Sequence, residues 1–265
     1  MSKLAQTLLI EGPDARAFAH AQFSSRVTSL DVDCWQFSAW LSPQGRVRAF
    51  FHLIRLADDK YLLLLRGGNA TSMADALQRF VFRSKLTIRA LLPRGLSAGS
   101  TQPMYTIRKE GEVISLGCDT YSMQITNSVT CNNTWLLQQM RLGWPWLPES
   151  ALDELLPAAL SLQRLHAVAV DKGCYPGQEI VARLHFRGGH KRHLCSGTLS
   201  QPLAPGEMLR IEGNDVGRVL DAMTENGRNE ILVVLNDDVA IQANEGLLER
   251  FDDELSLHID TCWPA

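Results

Sequence analysis

Strong charge of either sign is missing from this chain of 265 residues: lysines and arginines nearly balance the acids, and the formal net charge is −3 at pH 7. No global field draws it to nucleic acid or to an anionic membrane, so any RNA contact has to use a local patch. Long apolar runs are missing as well. The run Leu8 to Ile10 is cut off by Glu11. It is too short for a signal-peptide core, and no later stretch is long enough to span a bilayer. A cytoplasmic protein is expected. The six cysteines, Cys34, Cys118, Cys131, Cys174, Cys195 and Cys262, form no Cys-x-x-Cys pair and follow no repeating spacing. Free thiols are expected rather than a disulfide framework. No three of them are grouped, which disfavours an iron–sulfur cluster held by this chain alone. A P-loop, a Gly-x-Gly-x-x-Gly turn and a nucleophile elbow are all absent.

What is present is the composition of an ordinary soluble globular protein, 45% hydrophobic and 21% charged. The pattern predicts a helix over Ala15–Phe23 and strands over Trp35–Leu41, Val47–Leu56 and Lys60–Leu65. The alternation Val47, Ala49, Phe51, Leu53 suits a sheet with one covered face. Asn69 can cap a helix running to about Phe82, with Met73, Leu77, Phe80 and Val81 inward. Leu86–Ala90 is another strand. The stretch from Pro93 to Asn133 holds short strand candidates near Met104–Arg108, Val113–Leu116 and Ser122–Thr126. Helices follow at Trp135–Arg141 and Ala151–Leu156. Beyond Gly188, strands at Leu194–Leu199, Glu207–Ile211, Val216–Met223 and Glu230–Leu235 alternate with turns and predict a small all-β module. The fold class is α+β, divided as 1–92, 93–193 and a C-terminal 194–265.

The densest chemistry lies in Lys172-Gly173-Cys174-Tyr175-Pro176-Gly177-Gln178-Glu179. Two glycines and a proline permit a tight turn, where backbone approaches a ligand closely. Gln178 to Leu184 then reads as a helix with Ile180, Val181 and Leu184 on its apolar face. A thiol between a lysine and a helix N-terminus is in a setting that favours thiolate. Cys174 is therefore the leading functional residue, against the alternative of a packed small hydrophobe. The segment Arg183 to Cys195 gathers His185, Arg187, His190, Lys191, Arg192 and His193. Its spacing matches no familiar tetrahedral zinc template, so a basic loop is expected and no metal.

This octapeptide, with Val181-Ala182-Arg183, Phe186-Arg187-Gly188 and Lys191-Arg192, resembles the YgfZ branch of the glycine-cleavage T-protein (aminomethyltransferase-like) folate-binding family. The similarity continues in Gly12-Pro13-Asp14-Ala15, in Leu41-Ser42-Pro43-Gln44-Gly45-Arg46-Val47, in Phe82-Arg83-Ser84-Lys85-Leu86-Thr87-Ile88 and in Gly143-Trp144-Pro145. The resemblance implies paired α+β lobes around a central cleft, with a C-terminal β-barrel. It also implies a tetrahydrofolate-type ligand, with Trp135, Tyr175 and Arg183 as folate-binding residues. Lys172, Gly173, Gly177, Gln178 and Glu179 complete the signature around the functional thiol Cys174. The implied role is support of iron–sulfur enzyme assembly or repair, with iron–sulfur enzymes or carriers as partners. tRNA-modifying enzymes are among these, so the link to tRNA is indirect.

The chain departs from the family at several positions. Ala5 falls where a second folate-site Trp is expected. Arg141 replaces an acidic residue used on the pterin, Arg26 another acidic residue, and Ala158 and Ser161 a Gln and an Asn. The Asp that serves true aminomethyltransferases as acid/base has no match. Two alternatives stay open: a folate-dependent one-carbon (aminomethyl) transferase, against which Arg26 and Arg141 argue, and a docking factor for an iron–sulfur carrier that binds no folate.

Overall fold

The computed structural model describes residues 3–127, 134–244 and 249–264. The chain falls into two compact units. One comprises Met1–Leu41, Arg48–Trp135 and His166–Pro176; the other comprises Ser42–Val47, Leu136–Leu165 and Gly177–Ala265.

The first unit carries two five-stranded antiparallel sheets. In chain order its elements are β1 (Leu4–Ala5), β2 (Thr7–Glu11), α1 (Ala15–Gln22), β3 (Cys34–Leu41), β4 (Val47–Ala57), β5 (Lys60–Leu65) and α2 (Ala70–Gln78). Then come β6 (Thr87–Ala90), β7 (Arg94–Gly99), β8 (Ile107–Glu110), β9 (Val113–Gly117) and β10 (Ser122–Thr126), with α3 (Thr134–Arg141) beyond. One sheet runs β3-β4-β5-β2-β6 and the other β1-β7-β10-β9-β8. On the first, Ala49, Phe51 and Leu53 meet Phe18, Ala19 and Phe23 from α1 and its exit, and Met73 and Leu77 from α2.

The opposite face is also covered, unlike the one-sided sheet expected. Phe50, His52 and Ile54 are fully buried. Aromatic packing closes that face: Trp35 lies edge-on to His52 at 4.8 Å, and its Nε1 donates to Gly117 O at 3.1 Å. Arg66 is buried here as well, its guanidinium over Phe37 and Phe50 at 5.6 and 5.8 Å. His52 Nε2 is 3.4 Å from Arg66. Burial, and then the Arg66 charge, hold the His52 pKa well below its ordinary 6.5.

Asn69 caps α2 as expected, its side chain accepting from Ser72 N at 3.0 Å. The helix stops at Gln78, four residues before the expected end. Tighter turns replace it, with Phe80 N on Leu77 O and Val81 N on Gln78 O. Of the apolar residues after Leu77, Val81 reaches the core while Phe80 and Phe82 stand in solvent. Strands β1, β2 and β7 have no counterpart among the expected strands; for β2 the reason is that Leu8–Ile10 carries no alternation when both faces are buried. The end of the Pro93–Asn133 stretch, 128–133, lies outside the described residues.

The second unit begins its helical part with α3 from Leu136 and continues through α4 (Gln178–Arg187). The expected helix at Ala151–Leu156 is instead irregular backbone between two 3₁₀ turns, Glu149–Ala151 and Pro157–Leu160. Pro148 and Pro157 break any longer run. Then follow β11 (Arg192–Leu199), β12 (Met208–Ile211), β13 (Asn214–Glu225), β14 (Arg228–Asn236), α5 (Asp237–Asn244), β15 (Glu249–Arg250) and β16 (Ser256–Trp263). Their six-stranded sheet has the order β12-β13-β14-β11-β16-β15. Its core is Cys195, Leu199, Leu209, Ile231, Val233, Leu235 and Leu257, with Val239 and Ala240 from α5.

One cysteine expectation is overturned. Cys195 and Cys262 stand directly opposite on β11 and β16, with Cα atoms 4.1 Å apart, and form a disulfide. Sequence spacing hides this pair because 67 residues separate its members. Only antiparallel register brings the two side chains to one place. Cys34, Cys118 and Cys174 are free. Among the described residues, no helix is long and apolar enough to cross a membrane.

The buried His52 sets a pH dependence. The folded state keeps it neutral, whereas the unfolded chain takes up a proton as the pH falls through about 6.5. Stability should therefore be lost below that pH, with burial making His20 and His190 act in the same direction. Urea midpoints should fall between pH 7.5 and 5.5, and His52→Asn should fall less over the same interval.

Candidate functional site

The first half of the signature is anchored in the first unit. Lys172 is buried, and its ammonium donates to the carbonyls of His20, Phe23 and Ser25 at 2.6, 2.5 and 2.9 Å. Three acceptors match the three N–H donors of an ammonium. Burial, followed by the nearby Arg26 charge, pulls its pKa down to about 8. The carbonyls oppose that pull by stabilising the charged form. These carbonyls belong to the end of α1 and the turn after it, which cannot satisfy them internally.

Further bonds tie the same two segments together. Ser24 Oγ donates to Ala167 O at 2.7 Å, and Ala169 N donates to Ser24 O at 2.9 Å. Tyr175 is 6% exposed, donates its hydroxyl to Ala169 O at 3.0 Å, and lies under Lys172 with Nζ 4.9 Å from the ring centre. Burial lifts its phenol pKa to about 12. Arg26 pairs with Asp171 at 2.8 Å. Cys174 projects from this frame as an exposed free thiol. The Lys172 ammonium thus goes to backbone carbonyls and the Tyr175 ring.

The second half of the signature is anchored in the second unit. Gly177 has φ +78°, and a Cβ there would come within 2.5 Å of Ser42 O and 2.7 Å of Gly45 Cα. Gly45 has φ +77° and faces Ile180 of α4 less tightly, a Cβ there coming 3.0 Å from the Ile180 side chain. Both glycines are required, by left-handed backbone and by close approach. Ser42 to Arg46 closes its own turn, Ser42 N to Arg46 O at 2.8 Å and Gly45 N to Ser42 O at 2.9 Å. Gln178 then opens α4, Glu179 sits exposed in its first turn, and Val181 is buried. A carboxylate in that position complements the helix dipole. Arg183 is exposed on α4.

The remaining nominees are dispersed. Trp135 is 1% exposed, and its ring is among the largest fully buried side chains. Arg141 spans Glu230 with two guanidinium nitrogens, Nε to Oε2 at 2.8 Å and a second shorter contact to Oε1. That guanidinium is committed to a buried carboxylate. Ser161 takes a left-handed conformation, φ 50°.

Within the second unit, one face of α4 borders a cavity of about 570 Å³. Ile180 and Leu184 with Leu155 and Leu156 form its apolar wall, and Gln44, Arg46, His190, Lys191 and Arg192 bring polar groups. Arg46 is braced by Glu154, donating to its carbonyl at 2.8 Å. A second cavity, about 330 Å³, shares Leu184, Gly189 and His190 with the first and adds His185, His193 and Asp237. Among the described residues, the buried His190 Nε2 has no hydrogen-bond partner. Burial, then the charge of His193, holds the His190 pKa below its usual value. The basic loop was visible in the sequence. Gln44, Arg46 and Glu154 as cavity residues were not, since their two segments meet α4 only through folding.

No protein-family model matches the chain. It is 26% identical over 290 residues to tRNA-modifying protein YgfZ of Cronobacter sakazakii, covering 94% of this chain and 86% of that one. The protein of the same name from Escherichia fergusonii is 25% identical over 291 residues, covering 95% and 88%. An uncharacterized protein of Haemophilus influenzae is 26% identical over 263 residues, covering 92% and 93%. These proteins are homologues over nearly the whole chain. The crystal structure of glycine cleavage system aminomethyltransferase T from Bartonella henselae has a similar fold. The TM-score is 0.68 at 16% identity, over 96% of this chain and 82% of that one.

Two contrasts test the anchoring of the signature. Gly177→Ala should lower the unfolding free energy by about 2–4 kcal/mol, from the left-handed strain and the backbone clash together. Gly173→Ala, with nothing within 4 Å of its Cβ, should stay within about 1 kcal/mol. Urea titration of both variants measures the difference. Lys172→Met keeps the stem but leaves three carbonyls unbonded, and should cost about 2–4 kcal/mol in the same assay. A loss under about 0.5 kcal/mol would show that those bonds are not what holds the turn.

Proposed function

We propose that this protein binds a reduced folate and supports assembly or repair of iron–sulfur enzymes, tRNA-modifying ones among them, with Cys174 as the working thiol. The observation that carries the reading is Cys174 itself, the exposed free thiol on a turn fixed by Lys172, Ser24 and Tyr175. An exposed thiol is chemically available, and a fixed turn presents it in one direction. Support comes from homologues named tRNA-modifying protein and from a fold shared with an aminomethyltransferase.

The residues of the second unit suit a folate in chemical character. The apolar wall of Leu155, Leu156, Ile180 and Leu184 fits a flat ring, and Arg46, Lys191 and Arg192 fit glutamate carboxylates. Arg183 is exposed and can join them. Trp135 and Tyr175, both buried, belong to the proposal as interior side chains rather than as exposed stacking faces. A bound tetrahydrofolate would supply a reduced pterin able to carry a one-carbon unit. The chain's own contribution is to hold that ring and its carboxylates and to keep Cys174 presented. Aminomethyl transfer is disfavoured by the same geometry: Arg26 is paired with Asp171 and Arg141 with Glu230, so both departures from the family are cations in structural use.

A second reading is a thiol-bearing docking factor that binds no folate. Burial of both Trp135 and Tyr175 favours it. Anaerobic calorimetric titration with tetrahydrofolate separates the two. The first reading expects saturable heat and a gain of about 2.7 kcal/mol in stability at a hundredfold excess over Kd. Absent heat and an unshifted unfolding curve favour the docking factor. In cells, Cys174→Ala should accumulate as folded protein yet lose tRNA thiolation. Undiminished thiolation would refute the thiol's role under either reading.

A further inference from the structure

The segment Arg79-Phe80-Val81-Phe82-Arg83-Ser84-Lys85 joins α2 to β6 in the first unit, and neither reading above uses it. Phe82 is 86% exposed and Phe80 44%. Burying a phenyl ring is favourable, so two solvent-facing rings in one short segment leave apolar surface available to a partner.

The exposure does not reflect a loose connection. Val81 and Leu86 pack against the core of the first unit. Lys85 N donates to Asp14 Oδ2 at 2.6 Å. Gly12 lies so close that a Cβ there would meet Lys85 O at 2.4 Å. With the backbone pinned on either side, Phe82 and Arg83 are held outward at a fixed place.

The cations of the segment are also uncommitted. Arg79, Arg83 and Lys85 are exposed, and among the described residues no ion pair engages any of them. By contrast, Arg89 and Lys60 nearby both pair with Glu11, at 3.4 and 3.1 Å. Asp14 accepts from the Lys85 amide, and Asp75 on α2 lies four positions before Arg79. The result is a local positive patch on a protein whose net charge is −3.

Cations interleaved with outward rings have a specific complement. A single-stranded nucleic acid offers phosphates at close spacing and base faces between them. Base-on-ring stacking needs an exposed ring on a held backbone, which Phe82 supplies. An acidic protein segment would use the cations but has no systematic partner for both phenyl faces. We propose that residues 79–85 form a docking surface for a single-stranded nucleic acid, with Arg79, Arg83 and Lys85 on phosphates and Phe82 stacked on a base.

This goes beyond the folate reading and does not depend on it. Binding of a short labelled oligouridylate, and of the matching oligodeoxythymidylate, can be followed by fluorescence anisotropy without folate, at low and at physiological salt. Phe82→Ala should weaken binding about tenfold at either salt. The double variant Arg79→Gln, Arg83→Gln should flatten the log–log salt slope by about 1.4, near 0.7 per phosphate contact. All three side chains are exposed, so unfolding midpoints should match the parent and certify that the variants fold. Tighter binding of the ribonucleotide would assign the surface to RNA, and equal binding to single strands of either kind; both support the proposal. No binding by the parent, or affinity that neither variant changes, overturns it and leaves the surface to an acidic protein. Neither failure alters the tetrahydrofolate titration, which reports on the other reading separately.

Discussion

The Lys172 ammonium is the contact on which the candidate site depends. It satisfies three carbonyls at the end of α1 and in the following turn, and by doing so it fixes the start of the signature turn. A buried ammonium is costly unless each N–H finds an acceptor, and here each one does. Tyr175 closes the arrangement from below, with its ring under the cation and its hydroxyl on Ala169 O. The serines at 24 and 25 line the same seam, so the segment from Ala167 to Tyr175 is stitched to the α1 exit at several points. Cys174 inherits its orientation from that stitching. The lysine beside the thiol is thus a framing residue, bonded to carbonyls of the α1 exit.

A steric requirement governs the next residues. Gly177 and Gly45 face one another across the start of α4, each in left-handed backbone, Gly177 without room for a Cβ and Gly45 with only a tight fit against Ile180. This close approach sets where α4 begins and which face it turns toward Leu155 and Leu156. The cavity beside α4 follows from it, because Ile180 and Leu184 supply the apolar wall that Arg46, Lys191 and Arg192 rim with charge. One octapeptide therefore serves two compact units, with its lysine and tyrosine in one and its second glycine in the other. This explains why so many restricted residue types crowd into so short a stretch.

Much of this was legible in the sequence where a local rule governed the outcome. Asn69 reads as an N-cap and caps α2; Gly143 reads as a helix stop and follows α3 with φ +65°. The strands with clear alternation, β3, β4 and β14, were found within a residue or two. Local rules failed where partners came from far away. Strand β2 has buried residues on both faces and so no alternating signal. Phe80 looks like an inner helical position and is in solvent, because the helix ends before it. Arg26 and Arg141 look like lost acids and are ion-pair partners of Asp171 and Glu230, 145 and 89 residues away.

By itself the sequence determined the α+β class, the position of the signature, and Cys174 as its outstanding residue, since composition, turn chemistry and periodicity act within a few residues of one another. Tertiary structure alone decided the rest. It turned Lys172 from a neighbour of the thiol into a clamp on α1, and put Trp135 and Tyr175 inside the core rather than at a surface. It paired Cys195 with Cys262 through strand register, and left Phe82 outside between two pinned ends. Each of these depends on which distant backbone or side chain comes within a few ångströms. That is set by packing the chain as a whole, and no spacing along the sequence records it.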